Sequence, residues 1–286
     1  QHGAMVVRAD GAVWSVVDAM GASVIQVSHD QRGVARVTIS SPARMNAMNV
    51  AMWLELKTVF DNLAEQPLKA IVLTGDVVGQ AFCAGGDIHE YPSFRYDPNT
   101  LAHFHEVQVW GGLAAILNCD IPVIAAINGT CMGAGLEMAC CADIRVATAG
   151  AVFGAPIAKL GFPMAPREAA LVTSVLGASL SRQVLLQAST VKAEALINNG
   201  FLMAVHNPAD FDRAIEEVVE RQCRLSPQAA RLNKQALRGA FPALMDLKTT
   251  DPTDAYRYAG SAEHREGIEA FIAKRPAAFG GDPGKG

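Results

Sequence analysis

The stretch that most constrains this chain runs from Ile121 to Asp143, IPVIAAINGTCMGAGLEMACCAD. Its first part, Ile121 to Ile127, reads as a buried strand. The chain then turns at Asn128 and Gly129 and passes through Gly133, Ala134 and Gly135 into a short helix carrying Glu137. Small residues at that junction let a ligand approach the main chain. The free N–H groups of a helix start, backed by the helix dipole, suit a partial negative charge. Such donors stabilise a developing oxyanion, and removing one typically costs about 2.7–4 kcal/mol of transition-state stabilisation. A single donor does not make an oxyanion hole, so a second source is required.

Upstream, Ala70 to Thr74 (AIVLT) reads as another buried strand, and the backbone is again stripped of large side chains at Ala81 to Asp87, AFCAGGD. Either loop taken alone signals only a tight turn. As a pair, FCAGGD and INGTCMGAGLEMACCAD resemble the two oxyanion loops of the crotonase superfamily, the enoyl-CoA hydratase/isomerase family. SPARMNAMN at 41–49 is similar to the family's early segment. FGAP at 153–156 resembles its loop after the catalytic helix, and REGIEAFIAKRPAAF at 265–279 its C-terminal helix. The resemblance spans residues 23–279 in the family's order.

What the resemblance implies is an α/β chain with a crotonase-like spiral of ββα repeats over residues 23–205, then a C-terminal helical trimerisation region over 206–279 and a flexible tail at 280–286. Residues 1–22 form an extension. Its first five residues read as an expression scar, with Met5 as a native start, and residues 6–22 as either an added strand or a loose arm. The family also implies a homotrimer or a hexamer built as a dimer of trimers.

Composition narrows the classes. Half the residues are hydrophobic, enough for a substantial core. A net charge of −4 and a pI near 6.0 argue against a general nucleic-acid or membrane-surface partner. The uncharged run Ile121 to Leu136 is too short for a membrane span and contains Asn128 and glycines. The six cysteines show no CxxC or Cys/His metal spacing, so no metal site is expected, and the adjacent Cys140 and Cys141 are poor disulfide partners. Reduced, buried thiols in a cytoplasmic protein follow as the expectation.

Elsewhere the pattern predicts a hairpin, Ser23 to Val27 and Val34 to Ile39, turning at residues 29–33. A helix is expected over Asn49 to Glu65, burying Met52, Leu56, Val59 and Leu63. Another is predicted from about Asn99 to Leu117, capped by Asn99 or Thr100. His103 and His105 on it are two apart and cannot both face one site. Helices are expected to begin near Pro166, Ser181, Val191, Pro208 and Ser226, and a last long one to cover Pro252 to Lys274.

By resemblance, the backbone N–H groups of Cys83 and Ala134 would form the oxyanion hole, and Glu137 would serve as an acid–base residue. Without an evident histidine partner, the Cys83 thiol reads as inert. Arg44, Ala81, Gly85, Gly86, Asp87, Phe271 and Lys274 would hold coenzyme A, which enters as part of the acyl-CoA substrate and not as a bound cofactor. The family's hydratases use a second glutamate directly after the proline of FGAP, where this chain has Ile157. A missing general acid or base typically costs about 10²- to 10⁴-fold. Glu168 is the nearest downstream carboxylate and a candidate substitute, although a first-turn glutamate also simply complements its own helix dipole. The nominal activity is enoyl-CoA hydration. The alternatives are isomerisation of 3-enoyl to 2-enoyl-CoA, another enolate reaction such as decarboxylation or thioester hydrolysis, or an acyl-CoA-binding assembly subunit with little turnover.

Overall fold

A computed structural model describes residues 5–7, 13–15, 23–239 and 255–279. Among them, β1 (Met5–Val7), β2 (Val13–Ser15), β3 (Val24–His29), β4 (Val34–Ser40), β5 (Ala70–Gly75), β7 (Val123–Ile127), β9 (Ile144–Thr148) and β12 (Ala204–His206) share one sheet, in the order β12-β9-β7-β5-β4-β3-β1-β2. A second sheet holds β6 (Ala81–Cys83), β8 (Thr130–Met132), β10 (Val152–Gly154) and β11 (Thr190–Lys192), in the order β11-β10-β8-β6. The chain passes from β5 to β6, from β7 to β8 and from β9 to β10, so each repeat gives one strand to each sheet before a helix returns it. This is the crotonase-type α/β spiral. The helices are α1 (Val50–Ala64), α2 (Pro98–His103), α3 (Trp110–Asn118), α4 (Ala134–Cys141), α5 (Pro166–Leu176), α6 (Ala178–Leu186), α7 (Ala193–Asn198), α8 (Pro208–Cys223), α9 (Pro227–Gly239) and α10 (Ala262–Ile272).

The apolar runs fold as two-faced strands because both faces find a cover. In β5 and β7, Ile71, Leu73, Val123, Ala125 and Ile127 join the large core with Met52, Leu56 and Phe60 of α1. Their neighbours Ala70, Val72, Ile124 and Ala126 pack on Phe211, Ile215 and Val219 of α8. The period of two thus sorts one uninterrupted hydrophobic run into two separate cores. Parallel pairing of β4, β5, β7, β9 and β12 requires crossovers, and it places the ends of β5 and β7 side by side.

Local signals set most boundaries. Asn49 caps α1, its side chain accepting the Met52 N–H at 2.8 Å. Pro227 opens α9 after Ser226, whose hydroxyl accepts from the Ala229 N–H at 3.3 Å. The hairpin turn is held by the Asp30 carboxylate, which accepts the N–H groups of Arg32 and Val34. At the N-terminus, β1 pairs with β2 and reaches β3 through Val7 and Val27, so strands extend the sheet there. Residues 1–4, 8–12 and 16–22 lie outside the described residues, as does the 280–286 tail.

Four expectations are corrected. The 99–117 helix starts at Pro98 with Asp97 as its cap, accepting from Asn99 and Thr100, because proline suits the first helical position and puts the cap one residue before it. Its middle, Phe104–Val109, is π-helical. Near Ser181 and Val191, helices begin instead at Ala178 and Ala193, residue 191 being taken up by the antiparallel pairing of β11 with β10. The final helix is short: a 3₁₀ turn, Arg257–Gly260, precedes it, and Ser261 caps Ala262–Ile272. Residues 252–254 lie outside the described residues. Among those described, no helix is long and apolar enough to cross a membrane.

Candidate active site

The ends of β6 and β8 converge on a cavity of about 340 Å³. On one side β8 ends at Met132 and Gly133 turns the chain with φ 48° and ψ −112°, a conformation that side-chain-bearing residues rarely adopt. The Gly133 N–H is held by Gly154 O at 2.8 Å, and the helix begins with the Glu137 N–H bonded to Gly133 O at 2.9 Å. Ala134, the first helical residue, lines the cavity, and its N–H has no intrahelical acceptor. Gly135 is required for contact: a Cβ there would meet Cys83 O at 2.5 Å.

The opposite loop differs from the expectation. Cys83 is fully buried in β6, its thiol directed to Gly85 O at 3.5 Å, and it is not among the residues that line the cavity. Ala84, Gly85 and Gly86 line it instead. The Ala84 N–H is taken by Met45 O. A parallel bridge joins Met48 to Gly86 through the Met48 N–H on Gly85 O and the Asp87 N–H on Met48 O, both 2.8 Å. Gly86's own N–H takes no part in that bridge. Burial pushes the Cys83 thiol up to about 12, in keeping with an inert side chain.

Among the residues expected to hold coenzyme A, Gly85, Gly86 and Phe271 line the cavity, and Phe271 is half exposed at its edge. Ala81 does not: it is a buried strand residue. Asp87 caps the following 3₁₀ turn through the His89 N–H. Arg44 lies beside Asp87 and His89, at 4.0 and 3.4 Å, and Lys274 is exposed just past α10 with a left-handed backbone. Asn46, not singled out in the sequence, pins this whole loop. Fully buried and left-handed, it accepts the Ser41 N–H and donates to Asp76 O and Ala81 O.

Two carboxyls share the cavity. Glu137 enters from α4 and Glu168 from the first turn of α5; both are buried, at 7% and 3% exposure. Glu168 therefore faces the cavity instead of stabilising its helix from the solvent side, and Ile157 forms an apolar part of the wall. Burial raises the pKa of both. Glu168 goes to about 8, with Glu106 adding to the rise, and Glu137 goes well above its usual value, with Glu168 adding to it; the Arg95 guanidinium pulls both back.

Behind Glu168 stand groups that sequence reasoning missed or discounted. His105 is buried and its Nδ1 lies 2.8 Å from Glu168 Oε1, whereas His103 is exposed on another face. Arg95 is buried between the rings of Tyr91 and Phe162, at 4.4 and 4.1 Å from their centroids. Its place in an irregular stretch left no periodic signal to find it. Phe104 also lines the cavity, while Trp110 and Leu113 belong to the core.

Two small-residue loops and a pair of buried carboxyls thus line one cavity of an α/β fold. The chain belongs to the enoyl-CoA hydratase/isomerase family, whose model matches residues 29–282. It is 31% identical to a 2,3-dehydroadipyl-CoA hydratase of Escherichia coli over 263 residues, covering 91% of this chain and 99% of that protein. A solved structure from Magnetospirillum magneticum, described as an enoyl-CoA hydratase/carnithine racemase, superposes with a TM-score of 0.73 at 30% identity, covering 92% and 97% of the two chains. A methylmalonyl-CoA decarboxylase shares the fold, with a TM-score of 0.78 at 22% identity and coverage of 90% and 98%.

Proposed function

We propose that the chain acts on acyl-CoA thioesters, with hydration of a 2-enoyl-CoA to a 3-hydroxyacyl-CoA as its reaction. The observation that carries this reading is Glu168 beside Glu137 in one buried cavity, since it supplies the second carboxyl that Ile157 lacks. The N–H groups of Gly86 and Ala134 polarise the thioester carbonyl and hold the enolate oxygen. One carboxyl takes a proton from water as its oxygen bonds to Cβ, and the other delivers a proton to Cα while the double bond is lost. The hydratase named for the Escherichia coli relative supports this choice. Coenzyme A, as part of the substrate, lies along Gly85, with Arg44, Phe271 and Lys274 toward its phosphates and adenine, in a trimer or dimer of trimers.

The experiment is a loss-of-absorbance assay with short, medium and aromatic 2-enoyl-CoA thioesters. Turnover by the wild type that falls in both Glu137→Gln and Glu168→Gln supports hydration. A second reading, isomerisation of 3-enoyl-CoA, is favoured by the apolar wall at Ile157 and needs only one proton shuttle. It replaces the first if 3-enoyl thioesters react and 2-enoyl thioesters do not.

A further inference from the structure

An acid–base pair needs one member to give a proton and the other to take it, and the side chains behind Glu168 decide which. A guanidinium has only donors. Arg95 Nη1 lies 3.2 Å from His105 Nε2, and Arg95 Nε lies 3.4 Å from His264 Nε2. A ring nitrogen facing such a donor must accept, so the His105 proton resides on Nδ1, which donates to Glu168 Oε1 at 2.8 Å. His264 obeys the same logic, its Nδ1 donating to Ala259 O at 2.9 Å. The C-terminal segment thereby fixes Arg95, and Arg95 fixes His105. Tyr256 stacks on the His105 ring at 5.7 Å and 11°, and its hydroxyl donates to Glu106 at 2.7 Å.

We infer that His105, locked by Arg95 in its Nδ1–H tautomer, is a positioning residue that makes Glu168 the base and Glu137 the acid of the pair. The inference rests on the reading of these two carboxyls as the acid–base machinery. A donated hydrogen bond favours a carboxylate over its neutral form, and Glu168 receives one from His105. Among the described residues no hydrogen bond reaches the Glu137 carboxyl, which faces the cavity from α4. The other groups acting on Glu168 are Arg95, Glu106 and Glu137, the main-chain N–H of Ala165, which also favours the carboxylate, and the hydroxyls of Tyr91, Tyr256 and Tyr258. Burial and the Arg95 charge keep His105 neutral, so it holds this role across neutral pH. In hydration, Glu168 takes the proton of the attacking water, the C–O bond forms at Cβ, the double bond breaks, and Glu137 protonates Cα. The proton returns from Glu168 to Glu137 through water once product leaves.

The test uses the full-length protein carrying ¹⁵N-labelled histidine, with the imidazole tautomers read by NMR between pH 6 and 8. The expected result is a neutral His105 protonated on Nδ1, turning into a mixture of tautomers in Arg95→Met; an Nε2–H or charged His105 in the wild type overturns the inference whether or not the enzyme turns over. The kinetic arm is the pH profile of kcat/KM. His105→Phe keeps the stacked ring but removes the donor, so the acid limb moves up by about one pH unit, a roughly tenfold loss at lower pH that is regained at high pH. His105→Asn, whose amide N–H stands near the position of Nδ1, restores the limb. A loss of equal size at every pH, or no rescue by asparagine, contradicts the role. Should neither 2-enoyl nor 3-enoyl thioesters react, the functional reading fails by itself and the tautomer measurement still decides the place of the His105 proton.

Discussion

Glu137 and Glu168 are both buried and lie far apart in sequence, yet Glu168 adds to the rise in the Glu137 pKa. Replacing either with glutamine keeps the shape and removes the titration. Each variant is expected to lose about 10²- to 10⁴-fold in hydration, with acyl-CoA binding by calorimetry little changed. The same groups mark stability. Glu168 ionises near 8 in the fold and near 4.5 when exposed to water, so the folded chain binds the extra proton between those values. Stability is then fully present below 4.5 and falls as pH rises through about 8. His264 acts in the opposite sense: with a folded value near 4 against 6.5, it contributes stability above 6.5 that is lost as pH falls toward 4. Urea unfolding between pH 6.5 and 8.5 should show a wild-type decline that flattens in Glu168→Gln. An equally steep decline in the variant contradicts the assignment.

At the scale of elements, the two loops are held by different devices. Asn46 satisfies three main-chain groups at once, so Asn46→Ala leaves them buried without partners and is expected to cost about 2–4 kcal/mol in chemical denaturation. Gly135→Ala drives a methyl into Cys83 O, at 2.5 Å, and should cost about 1–3 kcal/mol while separating the loops. A Gly135→Ala protein with wild-type stability and turnover would show that the loops are not packed as described. The strand, turn and helix carrying Glu137 were legible because hydrophobic run, small residues and carboxylate sit within one contiguous stretch. Glu168 was visible only as one of two alternatives, since the sequence shows a first-turn glutamate but not which way its helix faces. The spacing argument that His103 and His105 cannot both face one site holds, but spacing alone does not say which of the two turns inward. The FCAGGD loop does reach the cavity, but through Ala84, Gly85 and Gly86 and not Cys83, because sequence spacing does not reveal which residues a bridge such as Met48–Gly86 turns inward.

For the whole molecule, the spiral brings residues from α1 to α10 around one cavity, and α9 leaves Leu232 and Leu237 more than half exposed. With the family's assembly, that face is expected to be covered by further copies, and light scattering should give three or six times the chain mass of 30.2 kDa. A monomer at assay concentration would contradict it. The central claim is nevertheless about one side chain: the second carboxyl comes from α5, not from the position held by Ile157. The measurement that tests it most directly is the rate of 2-enoyl-CoA hydration by Glu168→Gln beside the wild type and Glu137→Gln. A loss in Glu168→Gln comparable to that in Glu137→Gln, with thioester binding retained, is the predicted result. Wild-type turnover in Glu168→Gln, while Glu137→Gln is inactive, would contradict it.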